Sequence, residues 1–253
     1  MRPAPSARRV LLLLILALTA ATLGGGPAAA QDISINLGQG NGGVTERAIQ
    51  LIALLTILSL APSIVVMMTS FTRIVVVLSL LRTALGTATA PPNTVIVALA
   101  LFLTAFVMGP TLQKTYDDAV RPLVGNQITV EQAVERGAGP LRGFMQKNVR
   151  EKDLKLFMDL SGDPPPATPD NMSMRILVPA FMISELKRAF EIGFLLFLPF
   201  LIIDLVVASV LMSMGMMMLP PVVVSLPFKL IFFVLVDGWT LVVGSLVQSY
   251  GGS

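Results

Sequence analysis

Apolar and polar positions divide the chain into blocks. Residues 49–110 carry only Arg73 and Arg82 as charges, and residues 192–250 carry only Asp204, Lys229 and Asp237. Residues 111–191 between them hold 11 Lys or Arg and 11 Asp or Glu. Uncharged runs of this length have the reach of membrane-crossing helices. Each apolar block therefore reads as a helical hairpin, and the charged block as a polar helical region between them.

In the first block, residues 48–71 are long enough to span. Pro62 should kink that helix by leaving the Leu58 carbonyl unpaired. Residues 73–85 continue apolar apart from Arg73 and Arg82, and residues 86–93, with Pro91 and Pro92, supply the turn. Residues 94–108 form the return helix, which Gly109-Pro110 is expected to end. Those 15 residues are short for a lipid-exposed span. A helix packed among protein neighbours escapes that rule, which points to an oligomer.

The charged block predicts amphipathic helices. Thr129 and Gln132 have the spacing of a capping box. Glu151 and Lys155 are an i,i+4 pair of the favoured order. Leu154, Phe157, Met158 and Leu160 suggest an apolar face. Residues 161–171, with Pro164, Pro165, Pro166 and Pro169, read as an extended linker. Pro179 suits the first position of the next helix. That helix should run to about residue 219, roughly 60 Å at 1.5 Å per residue, with a kink at Pro199. Residues 226–250 read as one last helix.

Composition sharpens the class. The chain is 54% apolar and 13% charged, against about 25% charged in an average soluble domain. With a mean hydropathy of +0.80, it reads as an all-α membrane protein. It has no Cys and no His. That excludes disulfides, thiolate or imidazole metal sites, Cys nucleophiles and His acid–base chemistry. There is also no Gly-rich phosphate loop. No catalytic residue, metal or cofactor is expected.

The net charge of +3 comes from the N-terminus. Arg2, Arg8 and Arg9 precede an apolar run over residues 10–23, a Gly-Gly-Gly-Pro break and an Ala28-Ala29-Ala30 cleavage pattern. This is the layout of a cleavable secretory signal. Three of the 18 basic residues lie in residues 1–30 and none of the 15 acids, so removal leaves 15 of each sign. A neutral mature chain gives no support to nucleic-acid binding. The expected organisation is a signal at 1–30, a periplasmic segment at 31–47, a hairpin at 48–110, a charged periplasmic region at 111–191 and a second hairpin at 192–250. Arg73, Arg82 and Lys229 lie at the hairpin turns without acids, so those turns should face the cytoplasm. The large loop and both termini then lie in the periplasm.

Few residues could carry chemistry. Asp204 and Asp237 flank one turn in apolar helices, where a charge is costly and usually functional. An intramembrane protease would need them as a pair, but the usual Gly-x-Gly-Asp context is absent. A small-solute or ion-coupled transporter could use them, or they could pair helices within an assembly. Lys229 needs an acidic or carbonyl partner. Asp237 lies about 12 Å along the same helix, so a neighbouring helix or subunit should supply it.

The turn between the last two helices, LMSMGMMMLPPVVVSLP at 211–227, places five Met within seven residues. Pro220, Pro221 and Pro227 should prevent a regular helix through it. It has no charge to favour solvation, and irregular backbone at membrane depth survives only when buried in protein or lining a cavity. Met adapts its shape to what it touches. Two readings stay open on the residues alone: an apolar turn filling a packing gap, or one element of a deformable constriction.

Residues 179–194 (PAFMISELKRAFEIGF) resemble the first signature of the FliP family, the flagellar member of the type III secretion export-gate proteins. Residues 227–239 (PFKLIFFVLVDGW) are similar to its second signature, and residues 70–82 (SFTRIVVVLSLLR) to its first hairpin. The resemblance covers residues 45–250, and the signal favours the flagellar branch. It implies an inner-membrane protein of the flagellar basal body. Several copies, about five, would form a ring completed by FliQ and FliR, with FlhA and FlhB as further export partners. The ring would pass unfolded flagellar subunits outward, with its helices partly lifted from the lipid. The family's methionine gasket maps onto Met216, Met217 and Met218, with Met214 nearby. Glu185, Asp204, Lys229 and Asp237 become intramembrane or inter-subunit charges.

Overall fold

In a computed structural model of the chain, the described residues are 63–87, 89–162, 172–216 and 218–251, with 52, 55, 56 and 59 before them. The expected signal, the expected periplasmic segment at 31–47, Pro62 with much of the first span, and residues 163–171 of the linker lie outside the described residues. Nearly all the described residues belong to a compact unit, Ile57–Ser253. It is helical, with no strand among the described residues.

Helix α1, Phe71–Ala84, buries Ile74, Val77, Leu78, Leu81 and Ala84. Steps of three and four put these on one face. That face packs with Ile96, Ala100, Ala189, Phe200, Phe233, Val242 and Leu246 in the larger core. A turn containing the cis Ala90-Pro91 peptide leads into α2, Asn93–Thr115.

Helix α2 does not stop at Gly109-Pro110. Pro110 lies inside it, because proline's fixed φ is helical and its ring removes one hydrogen bond without stopping an apolar helix. The helix then passes through a π turn, Tyr116–Val120, into a last turn, Arg121–Val124. The whole run is 32 residues, long and apolar enough to cross a membrane. The shortness inferred from residues 94–108 is therefore removed, and with it that argument for an oligomer.

The charged region forms α3, Val130–Asn148, and α4, Glu151–Ser161. Thr129 and Gln132 make the expected reciprocal capping box. Leu154, Phe157 and Met158 pack against a second core of Met145, Met172, Ile176, Leu177 and Phe181. Leu160 does not join them and is 71% exposed. Six residues beyond Leu154, at about 100° each, it points about 120° away from it. The ion pair at the start of α4 joins Arg150 to Asp153.

Helix α5, Met174–Ser213, is 40 residues long. It begins five residues before Pro179, because the Ser173 hydroxyl accepts from the Arg175 N–H and caps it there. It ends six residues before the expected limit: Gly215 has φ +75°, a left-handed conformation that glycine adopts freely and that stops a helix.

The last span is two helices, α6 (Pro221–Leu235) and α7 (Gly238–Gly251), bent by 64°. Asp237 forms the break with φ 50°. A Cβ on Gly238 would lie 2.2 Å from the Phe233 ring, so this close packing requires glycine. Pro221 occupies the first turn of α6 and Pro227 lies within it. The prolines therefore confine the irregular backbone to a shorter segment than the sequence suggests.

Candidate functional site: buried charges and the methionine turn

Arg73 lies in α1, not in a turn, and is fully buried. Its guanidinium Nε donates to Glu185 Oε2 at 2.9 Å, and Nη2 donates to Oε1. Glu185, on α5, is equally buried. Nη1 of Arg73 donates to the Ser249 hydroxyl at 2.9 Å, and the guanidinium carbon sits 3.8 Å from the centre of the Tyr250 ring. The Tyr250 hydroxyl also donates to Glu185. Three distant segments, α1, α5 and the end of α7, thus meet on one charge pair. A planar guanidinium suits this role because it binds a carboxylate at two points and stacks on an aromatic face.

The second cluster answers the question left by Lys229. Its Nζ donates to Asp204 Oδ2 at 2.6 Å and to the Ala84 carbonyl at 3.3 Å. The Ser225 hydroxyl, one turn earlier on α6, donates to Asp204 Oδ1 at 2.5 Å. Lys229 is 3% exposed, and its partner Asp204 lies on α5 of the same chain. Asp237 is elsewhere: it is exposed at the α6–α7 bend. Arg82 does sit beside the α1–α2 turn, where Nη1 donates to Asn93 Oδ1 at 3.1 Å.

A third cluster joins the charged region to α5. The Ser184 hydroxyl donates to Asp153 Oδ2 at 2.7 Å, and Arg150 donates to both Asp153 oxygens at 2.7 Å. Burial pushes the Asp153 pKa up, but the Ser184 and Arg150 hydrogen bonds and the Arg150 charge outweigh it and bring it below the usual value. Ser184 and Glu185 are neighbours on α5, so adjacent residues bind the charged region and the two apolar hairpins.

Of the site residues expected from sequence, the structure brings Arg73 to Glu185 and Asp204 to Lys229. Ser225, Ser249, Tyr250 and the Ser184–Asp153 contact are additions. Ser225 had a sequence signal, since it lies four residues before Lys229 and so shares its helix face. Ser249 and Tyr250 had none.

The methionine turn lies between α5 and α6. Met216 donates its N–H to the Leu211 carbonyl at 3.0 Å. Met214 is 64% exposed and Met218 98% exposed. Met217 lies outside the described residues. Apolar side chains this exposed on an uncharged turn are open to lipid or to another chain.

No group of three or more potential metal ligands occurs among the described residues. The clusters hold charge and hydrogen bonds together, and they connect helices.

Residues 54–246 match the model of the FliP family. The chain is 59% identical over 244 residues to the flagellar biosynthetic protein FliP of Caulobacter vibrioides, covering 96% of this chain and 91% of that one. It is 54% identical to the protein of the same name from Bacillus subtilis, covering 80% and 91%. Against that of Aquifex aeolicus it is 50% identical, covering 92% and 98%.

Proposed function

The chain belongs to the FliP family, and from that premise we propose that it is a pore-forming subunit of the flagellar type III export gate. It is a component of the flagellar export apparatus, not an enzyme. Copies of the chain, about five by family resemblance, form a ring in the inner membrane with FliQ and FliR, alongside FlhA and FlhB. Unfolded flagellar subunits pass through it. The charged region and both termini lie on the periplasmic side. Met214, Met216, Met217 and Met218 of each copy form a gasket that closes around the path and deforms to let a chain through.

The observation that carries this reading is the exposure of Met214 and Met218 on an uncharged turn, where one chain offers them nothing to seal against. Further support comes from apolar faces open on α2 at Phe102 and Phe106, and on α5 at Phe190 and Phe194. Such faces need lipid or other subunits against them.

A transport reading built on Asp204 and Asp237 has weaker support. Asp204 is occupied by Lys229 and Ser225, and Asp237 stands at a bend without a described charge partner. A deletion strain separates the two readings. Loss of flagella and of subunit export, with solute uptake intact, is the result expected here. Intact flagella would overturn the export reading.

A further inference from the structure

A cavity of about 340 Å³ lies between α2, α3 and the end of α7, sharing only Tyr250 with the Arg73–Glu185 cluster. Lys114 of α2 and Lys147 of α3 line it, with Asn148, while Val107, Phe144 and Tyr250 form its apolar wall. Both lysines are exposed, and neither makes an ion pair among the described residues. No carboxylate lines the cavity. The acids that follow Lys114, Asp117 and Asp118, line a neighbouring cavity with Arg136.

The position of Lys114 says what this basic cavity can meet. It is the first charge on α2 after 21 uncharged residues, Asn93 to Gln113. Those residues rise about 31 Å, close to the thickness of a bilayer core. Lys114 therefore stands at headgroup depth, and Tyr116, half-exposed two residues on, is the residue type that marks that level. A basic cavity beside a spanning helix at that depth can attract an anionic headgroup. The volume fits a headgroup and the apolar wall suits the glycerol end of its chains.

We propose that this cavity binds a phosphate group, in the form of an anionic phospholipid headgroup, with the Lys114 and Lys147 ammonium groups as its ligands. The inference rests on the reading that α2 spans the membrane.

The test titrates the full chain, purified in detergent, with dioctanoyl phosphatidylglycerol, dioctanoyl phosphatidylcholine or inorganic phosphate, and reads the thermal midpoint. Phosphatidylglycerol should raise the midpoint and phosphatidylcholine should not. The Lys114→Gln/Lys147→Gln variant should need at least about tenfold more lipid for the same shift. Lys114→Arg/Lys147→Arg should respond as the unaltered chain does. A response to inorganic phosphate as large as that to the lipid would keep the phosphate site and overturn the lipid as its source. Equal responses to both lipids, or a Gln variant that responds normally, would overturn the site. Carbonate extraction of cell membranes tests the parent reading separately. A chain released to the supernatant contradicts the membrane assignment, whereas an integral chain indifferent to phosphatidylglycerol contradicts this site alone.

Discussion

Glu185 on α5 holds Arg73 on α1 at two points, and both side chains have no exposure to solvent. The two lie 112 positions apart. A buried pair of this kind is weak evidence of net stabilisation, since desolvation offsets the attraction. Breaking it is another matter, because the remaining charge is left buried and alone.

Arg73→Ala or Glu185→Ala should each lower stability by about 3–5 kcal/mol. The double variant Arg73→Met/Glu185→Leu should lose less than either single one, since no charge is stranded. Thermal unfolding of the purified chain in detergent measures this. A single variant as stable as the unaltered chain would show that the pair does not join these helices.

Gly238→Ala should be destabilising by about 1–3 kcal/mol. Its new methyl would sit 2.2 Å from the Phe233 ring. Gly244→Ala is the control, with nothing within 4 Å of the added carbon. It should be neutral or raise stability by up to about 1 kcal/mol, as alanine favours a helix over glycine. Equal effects at the two positions would contradict the close packing at the α6–α7 bend.

Asp153 gives a pH dependence with a defined sign. Its pKa in the folded chain lies below the usual value, so its contribution is fully present above the unfolded-state value near 3.9. That contribution is lost as pH falls from there through the lower folded value. Asp153→Asn should remove this part of the acid sensitivity while lowering stability at neutral pH. Unfolding midpoints measured from pH 7 down to pH 3 check it. An identical acid profile in the variant would contradict the Arg150–Asp153–Ser184 cluster.

Lys229→Met should leave Asp204 without its cation and destabilise the α5–α6 hairpin. Lys229→Met/Asp204→Leu should recover part of the loss, as expected when two groups couple directly. Limited proteolysis of the purified chain reads out the hairpin. Additive effects of the two substitutions would contradict the pair.

The block pattern made much of this fold legible. Charge distribution alone separated the two apolar hairpins from α3 and α4, and the Thr129–Gln132 box placed the start of α3. Boundaries failed where proline and glycine were read by their usual habits. Pro110, Pro179 and Pro227 sit inside helices, because one missing hydrogen bond is outweighed by a long apolar face. The break at Asp237 had no proline to announce it. It depends on a left-handed residue and on Phe233 packing against Gly238, both tertiary facts. The charges themselves were visible in the sequence, but their pairing was not. Arg73 finds Glu185, and Lys229 finds Asp204, only once α1, α5 and α6 lie side by side.

The methionine turn is proposed to seal a path through an assembled gate. Ion conductance of the assembled gate, unaltered or carrying Met214, Met216, Met217 and Met218 all changed to Ala, tests it most directly. Alanine removes the long flexible side chains that would fill the opening. A raised ion leak is expected in the variant, with the same amount of assembled complex. Conductance equal to that of the unaltered gate, in a complex that assembles normally, would contradict it.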